Sequence, residues 1–253
     1  MNHIRNSETY FAVLSAAMQE LGHSAVDRIA SELLDAYRCG RSIYIFGNGG
    51  SAATASHFAC DLGKGSASWL TRAAKRFRVI ALTDNVPVMT AWANDADYAD
   101  IFAEQLRNLI RPGDVVVAIS SSGQSANIIK ALEVANRQGA HTIGLGGCDG
   151  GRMKPLCRTC LVVSSNNVEV IEDVHMAVCH AVATIARQGI SANAGRMPVP
   201  QQMPEQPIAC SSSVTFPSFT ELSEVPDLDF ESQLPVPRNQ AGRPDVRQTV
   251  DAD

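Results

Sequence analysis

The sequence predicts an α/β fold: a doubly wound parallel sheet of five strands flanked by helices, with a helical N-terminal extension and a disordered C-terminal tail. Short, continuously apolar runs alternate along the chain with stretches of helical periodicity, which is typical of a parallel sheet covered on both faces. Glycine- or serine-rich turns directly follow two of these runs. In such sheets ligands bind beyond the carboxyl ends of the strands, so these turns are the first candidates for a site.

The elements can be assigned in chain order. Apolar residues at helical spacing predict helices over residues 8–38, closed by Gly40. Five apolar runs predict the strands, at residues 42–46, 78–82, 114–120, 141–145 and 159–164. Helical stretches separate these runs, and a long final helix is predicted from about Val168 to Arg187.

Composition divides the 253 residues into two parts. Residues 1–189 carry 17 basic and 17 acidic side chains, and we expect them to form the folded domain with its N-terminal helices. Residues 190–253 hold nine of the twelve prolines and the whole net charge of −5. Hydrophobic residues are scattered singly there, too few to offset the entropy of ordering the chain, so we expect a disordered tail. A short docking segment at "SVTFPSFTEL" is the alternative for part of it.

Several classes of protein are disfavoured. No run of lysine or arginine is present to neutralise phosphates, which argues against nucleic acid as a partner. No stretch approaches the roughly 20 apolar residues that span a bilayer, so we expect no membrane association. Seven cysteines without a secretion signal favour reduced thiols and a cytoplasmic location. The single "CRTC" pair (Cys157, Cys160) favours a buried strand thiol over a zinc or redox role.

Two turns are candidates for phosphate binding. "GNGGSA" (47–52) places flexible glycines before a helix that starts near Ser51, although it is neither a Walker A loop nor a GxGxxG motif, so no nucleotide cofactor is expected. "SSSGQS" (120–125) offers four hydroxyls at the start of another helix, from Ser120, Ser121, Ser122 and Ser125. Hydroxyls and helix amides can together bind a phosphate monoester without a lysine. Capping of the helix by one serine is the alternative.

Two helices carry candidate catalytic or metal-binding side chains. His57 and Asp61 lie one turn apart and share a helix face, as a metal pair or an acid and base would. The last helix carries a polar stripe, formed by Glu169, Glu172, Asp173, Met176 and His180. A solvated helix face is the alternative. His175 competes with His180 for a place in a site, and helical spacing does not choose between them.

The order strand–"GNGGSA"–helix, strand–"SSSGQS"–helix and "GLGGCDGGRM" resembles the SIS (sugar isomerase) domain, and within it the phosphoheptose isomerases, over residues 8–188. This resemblance implies conversion of sedoheptulose 7-phosphate to D-glycero-D-manno-heptose 7-phosphate by enediol proton transfer. It also implies substrate binding by two groups of residues, the serines Ser120, Ser121, Ser122 and Ser125, and the turn residues Asn48, Gly49, Gly50 and Ser51.

"EDVHMAVCH" is similar to the family's "QExHxxxxH" pattern and places the final histidine at His180. The resemblance implies a zinc ion bound by His57, Asp61, Glu172 and His180, with Asp61 and His180 as the acid–base pair and Glu172 also contacting substrate. Asp61 stands where the family has glutamate, and Glu172 where it has glutamine. We expect the changes to compensate, with a more anionic metal site and more proton transfer by His180.

Further contacts and assembly are implied by the same resemblance. The loop "DNVPVMTAWANDADY" suggests sugar contacts from Asn94 and Asp95, with Asp84 a weaker candidate and loop capping the alternative for each. A homotetramer is expected, a dimer of dimers with active sites at subunit interfaces, where His180 and Asp61 could come from different chains. Two alternative functions remain open: an isomerase of another phosphosugar, and a non-catalytic SIS protein of the kind that associates with a replication initiator.

Overall fold

A five-stranded, wholly parallel sheet forms the centre of the fold in the computed structural model, which describes residues 4–65 and 75–193. Its strands run in the order β2-β1-β3-β4-β5. Their bounds are β1 Ser42–Gly47, β2 Arg78–Ala81, β3 Val115–Ser120, β4 His141–Gly147 and β5 Thr159–Val163. Each agrees with a predicted run to within two residues, and the predicted fold class is confirmed.

Seven α-helices surround the sheet within the described part of the chain. They are α1 Ser7–Gln19, α2 His23–Cys39, α3 Gly50–Gly63, α4 Val86–Asp95, α5 Ala103–Leu109, α6 Ala126–Arg137 and α7 Val168–Asn193. Short 3-10 helices occupy Leu82–Asp84, Tyr98–Asp100 and Gly151–Leu156. The N-terminal extension is confirmed as two helices: a capping box of Asn6 and Thr9 begins α1, and left-handed Gly40 (φ 68°) ends α2.

Two apolar cores lie on opposite faces of the sheet because successive strand residues point to opposite sides. Val115 and Val117 pack on one face among side chains of α1, α2, α3 and α7. Val116 and Ala118 pack on the other face among side chains of α4, α5 and α6. The layered arrangement leaves the carboxyl ends of β1 and β3 facing the first turns of α3 and α6, where the two predicted phosphate turns lie.

The last helix is longer than predicted. It continues past Arg187, and past the predicted domain boundary at residue 189, to Asn193. Gly189 lies inside this helix and does not end it. Its missing side chain leaves room for Leu34 of α2, since a Cβ at this position would lie 2.8 Å from Leu34 Cδ1. The predicted tail and its "SVTFPSFTEL" segment lie outside the described residues beyond this helix. No helix in the described ranges is both long and apolar enough to cross a membrane.

The "CRTC" pair lies where β5 begins. Cys160 pairs in register with Gly144 of β4, and the sulfurs of Cys157 and Cys160 both lie against that glycine. Cys160 is therefore a strand thiol, as predicted, but it is half-buried rather than fully buried. Cys157 and Cys160 are both free thiols.

Candidate functional site

A cavity of about 220 Å³ opens at the carboxyl ends of β1 and β3. We call it the serine cavity. Its lining residues come from both phosphate-type turns and from the start of α7: Asn48, Ser51, Ile119, Ser120, Ser121, Ser122, Ser125, Cys148, Val168, Ile171 and Glu172. The topology thus brings the two predicted turns, which start 73 residues apart in sequence at Gly47 and Ser120, to one place.

Glycines shape both turns because side chains would not fit. A Cβ on Gly47 would lie 2.7 Å from the Ser51 carbonyl oxygen. Gly123 has φ +61°, and a Cβ there would overlap the carbonyl of Gly150, which belongs to the turn after β4. Met153 N–H donates to the Gly123 carbonyl oxygen at 3.0 Å. The serine turn is therefore held against the 147–156 segment, and its shape is set before any ligand arrives.

The serine hydroxyls differ in what they already bind. Ser120 is buried and accepts the Gly123 N–H at 3.1 Å, so it stabilises the turn itself. Ser122 Oγ accepts the Gln124 N–H at 3.2 Å. Ser125 occupies the N-cap position of α6, yet its side chain makes no capping hydrogen bond. Capping, the simpler explanation for this serine, is therefore not what its hydroxyl does here.

Glu172 contributes a carboxylate to the wall of the serine cavity. It lies directly on Gly50, in the first turn of α3, where a Cβ would overlap the carboxylate. The positive end of the helix dipole stabilises an anion at this position. Burial, followed by the nearby charges of Glu169 and Asp173, raises the pKa of Glu172. The carboxylate thus lies at the amino end of α3, beside the glycine turn.

Three side chains converge further along α3 and α7, and we call them the histidine–aspartate group. His57 Nε2 lies 3.0 Å from His180 Nε2, and Asp61 Oδ2 lies 3.5 Å from the first and 3.7 Å from the second. The two imidazoles are about half exposed, with side chains 49% and 52% accessible. All three residues belong to one chain, so His57, Asp61 and His180 come together without a contribution from a second chain.

The spacing of this group fits a zinc ion. Zinc in proteins is usually tetrahedral with bonds near 2.0–2.1 Å to nitrogen and oxygen, which puts neighbouring donor atoms about 3.4 Å apart. The three distances, 3.0, 3.5 and 3.7 Å, bracket that value. Two imidazoles and one carboxylate also match the donor set of catalytic zinc sites that keep one position open. His57, Asp61 and His180 could therefore hold the predicted metal.

Glu172, the fourth predicted ligand, is not brought into this group within one chain. It precedes His180 by eight residues, which corresponds to about 12 Å along a helix. The polar stripe predicted on α7 also divides. Asp173 turns to α1 and accepts a hydrogen bond of 2.6 Å from Tyr10 Oη, which raises the pKa of Tyr10 to about 12.

His175 is a core residue and is excluded from the site. Its side chain is fully buried, and Nε2 donates to the Gly146 carbonyl oxygen of β4 at 3.0 Å. Burial lowers its pKa to about 4, although the hydrogen bond to Gly146 opposes the shift. His175 therefore stays neutral at pH 7 and ties α7 to the sheet, which leaves His180 as the exposed histidine of the pair.

The predicted loop contacts lie outside the lining of the serine cavity. Asn94 Nδ2 donates to Asp95 Oδ1 at 2.8 Å at the end of α4. Asp84 accepts a 2.5 Å hydrogen bond from Ser56 and so braces α3 one residue before His57. Sequence reasoning missed Cys148, which lines the cavity at φ +55°, the one positive φ among described non-glycine residues. Its place between glycines in "GGCDGG" was the available signal.

Comparison with known proteins places this geometry in a family. The SIS domain model matches residues 9–147, more than half of the chain. The chain belongs to the SIS-domain family. This SIS-domain protein is 38% identical over 172 residues to a phosphoheptose isomerase of Trichlorobacter lovleyi, covering 65% of the chain and 82% of that protein. It is 36% identical over 180 residues to a probable phosphoheptose isomerase of Thermoplasma acidophilum, covering 71% and 97%.

Solved structures agree with the sequence comparison. The phosphoheptose isomerase of Neisseria gonorrhoeae superimposes with a TM-score of 0.66 at 30% identity, covering 72% of this chain and 96% of that one. The phosphoheptose isomerase of Francisella tularensis gives the same TM-score at 28% identity. The SIS-domain protein is therefore related to the phosphoheptose isomerases, as the motifs indicated.

Proposed function

We propose that this SIS-domain protein is a phosphosugar isomerase that converts sedoheptulose 7-phosphate to D-glycero-D-manno-heptose 7-phosphate. The observation that carries the proposal is the convergence of His57, Asp61 and His180 at zinc-compatible distances, on two helices, α3 and α7, that both start at the serine cavity. The relationship to proteins named phosphoheptose isomerase supports the choice of substrate.

The serine cavity is the proposed phosphate site. Ser122 and Ser125 would donate hydroxyl hydrogens to phosphate oxygens, together with amides at the start of α6, which has no side-chain cap. The start of α3 already faces the Glu172 carboxylate. Ser51, Ser121, Asn48, Gly49 and Gly50 belong to the same wall or turn. The phosphate lies far from the reacting carbons, so its binding energy serves to orient the sugar. Asn94 and Asp95 remain proposed sugar contacts.

The histidine–aspartate group is the proposed chemical end. A zinc ion bound there would act as a Lewis acid on the carbonyl and stabilise the enediol oxygens. Asp61 Oδ2 is the oxygen nearest both histidines, so Oδ1 is left to take the proton from the carbon beside the carbonyl and return it to the neighbouring carbon. His180 would exchange the hydroxyl proton between the two oxygens through Nδ1, because its Nε2 faces the proposed metal position. These roles make Asp61 and His180 the proposed acid–base pair.

We further propose that the active site is completed in a homotetramer, a dimer of dimers. Four metal ligands that include Glu172 cannot come from one chain, because about 12 Å of α7 separates Glu172 from His180. The half-exposed imidazoles leave an open side that a neighbouring protomer could cover. Sedimentation should then give a tetramer, and the E172Q variant should retain the tetramer while changing zinc affinity. The E20Q variant, at an exposed glutamate that ends α1, is the matched control.

Turnover of sedoheptulose 7-phosphate by the purified full-length chain tests the proposal. The chain is assayed for aldoheptose 7-phosphate after chelation and again after zinc is restored. We expect activity that disappears with chelation and returns with zinc. Ketose phosphates of five and six carbons are tested in parallel, and faster turnover of one of them would assign another phosphosugar. No turnover of any sugar under any metal condition would overturn the enzyme proposal and favour the non-catalytic alternative.

A further inference from the structure

An amide pair joins the two turns of the serine cavity. Asn48 Nδ2 donates to Asn127 Oδ1 at 2.9 Å, and Asn127 Nδ2 donates back to Asn48 Oδ1 at 2.8 Å. Asn48 follows β1 in the glycine turn, whereas Asn127 is the second residue of α6, just after the serine turn. The pair therefore connects two segments that are 79 residues apart in sequence.

Asn127 is buried in the core, whereas Asn48 faces the serine cavity. Asn127 is 2% exposed and does not line the cavity, whereas Asn48 is half-buried and lines it. A buried amide needs hydrogen-bond partners, since leaving one unpaired destabilises the fold. Asn127 has them in Asn48 and in the Ile128 N–H, which donates to its Oδ1 at 3.0 Å.

The Ile128 N–H, which donates to both Asn127 Oδ1 and the Ser125 carbonyl oxygen, favours one orientation of both amides. A backbone N–H can only donate, so the Asn127 atom facing it must be the oxygen. Asn127 Nδ2 then faces Asn48, whose Oδ1 must accept. Tyr98 Oη also donates to this Oδ1, at 3.3 Å. Asn48 is thereby fixed with its oxygen turned towards Asn127 and Tyr98, and its second Nδ2 hydrogen has no acceptor among the described side chains.

We propose that Asn127 is a positioning residue that holds Asn48 as a hydrogen-bond donor for the bound sugar phosphate, with Tyr98 as a weaker support. Asn127 acts through Asn48 and does not touch the ligand. The proposal rests on the proposed function only in its choice of ligand. It adds a dependence between the two turns: a substitution of Asn127, which follows the serine turn, changes the hydrogen bond that Asn48 in the glycine turn can donate to a ligand.

A double-mutant cycle tests this dependence. The variants are N127A, N48A and N48A/N127A, with N108A on the exposed face of α5 as the matched control. We expect N127A to raise the KM for sedoheptulose 7-phosphate about tenfold with a smaller change in kcat. N48A should have at least the same effect, and the double variant should be no worse than N48A alone. Independent, multiplying effects would overturn the proposal.

Folding and function are separated by two further measurements. N127D keeps the side-chain volume and the acceptor for Ile128 N–H but removes the donor to Asn48. It should therefore raise KM as N127A does, and it takes the place of N127A if that variant fails to fold. Direct calorimetric binding of sedoheptulose 7-phosphate replaces KM if the wild type binds without turnover, an outcome that would contradict the proposed function alone.

A ligand-free measurement completes the test. In a crystal structure of N127A or N127D, the Asn48 side chain should leave its wild-type rotamer or lose its order, whereas in Y98F it should stay in place. An unchanged Asn48 rotamer in both Asn127 variants would overturn the positioning role, whatever the protein binds.

Discussion

The serine cavity and the histidine–aspartate group lie along the same pair of helices but are built in opposite ways. Backbone turns form the cavity, with glycines at close contacts and several polar groups already hydrogen-bonded within the chain. Side chains alone form the other group, which is half exposed and supplies three donors at distances that suit zinc. The cavity is therefore preformed within one chain, whereas the histidine–aspartate group has an open side.

The connection between the two regions is α7 running beside α3 in the same direction. Glu172 lies against Gly50 at the cavity, and His180 lies against His57 about two turns later. His175, between them, anchors the helix to β4. If the serine cavity binds the substrate and the histidine–aspartate group carries the chemistry, the two regions should respond differently to substitution. Substitutions in the histidine–aspartate group should alter kcat and metal content, and substitutions in the cavity should alter KM.

The largest effect is expected from His180→Ala. Loss of one imidazole removes both a zinc ligand and half of the acid–base pair, so kcat should fall at least about a hundredfold. Bound zinc, measured by chelator competition, should fall with it. His23→Ala, which removes an exposed histidine at the start of α2, should leave both unchanged. Undiminished turnover in the His180 variant would remove this residue from the chemistry.

A smaller loss is expected from Asp61→Glu, although it restores the family's residue. Asp61 Oδ2 already lies 3.5 and 3.7 Å from the imidazole nitrogens, so an added methylene would carry the carboxylate past the position that suits a shared ion. A displacement of about 1 Å can cost up to roughly a hundredfold in rate, and we expect a fall of at least tenfold in kcat. A rise in kcat would mean that the short carboxylate is a handicap.

At the binding end, Ser125→Ala should raise KM about tenfold and leave kcat and stability nearly unchanged. Its hydroxyl caps nothing in α6, so the usual cost of losing a cap, about 1 kcal/mol, is not expected. Ser120→Ala makes the contrast, because Ser120 accepts the Gly123 N–H and its loss should lower the melting temperature. A lowered melting temperature in the Ser125 variant would show that this serine is structural after all.

At His175, which lies between the two regions, we expect a change in stability rather than in activity. The pKa of His175 is about 4 in the fold against 6.5 for the free side chain, so the unfolded chain binds the proton more readily. Its contribution to stability is complete above pH 6.5 and is lost as the pH falls towards 4. Between about pH 7 and pH 5 this amounts to about 2 kcal/mol. Urea unfolding of wild type and H175Q at both values measures it.

In that experiment the glutamine variant can still donate towards Gly146 but cannot take up a proton, so its stability should depend less on pH than that of the wild type. The H23Q variant, at an exposed histidine, should keep the wild-type dependence. Equal slopes for wild type and H175Q would mean that His175 does not titrate as its burial requires.

Much of the architecture could be predicted from local pattern. The five strands follow from continuous apolar runs, and Gly40 ends α2 in the left-handed conformation that a glycine there indicates. The end of α7 could not be predicted, since Gly189 serves the packing of Leu34 rather than termination. The polar stripe on α7 was also misjudged, because its residues turn to different neighbours: Asp173 to Tyr10, and Glu172 to Gly50.

The sequence by itself determined the elements, the two phosphate-type turns, and the pairing of His57 with Asp61, because these depend on residues within one helical turn or one strand–helix junction. Only the tertiary structure showed that His175 is buried in the core, separated Glu172 from the histidine–aspartate group, and joined Asn48 to Asn127. Each of these outcomes depends on which element packs against a helix face. Spacing along one helix shows that two residues share a side, but only packing shows what lies opposite them.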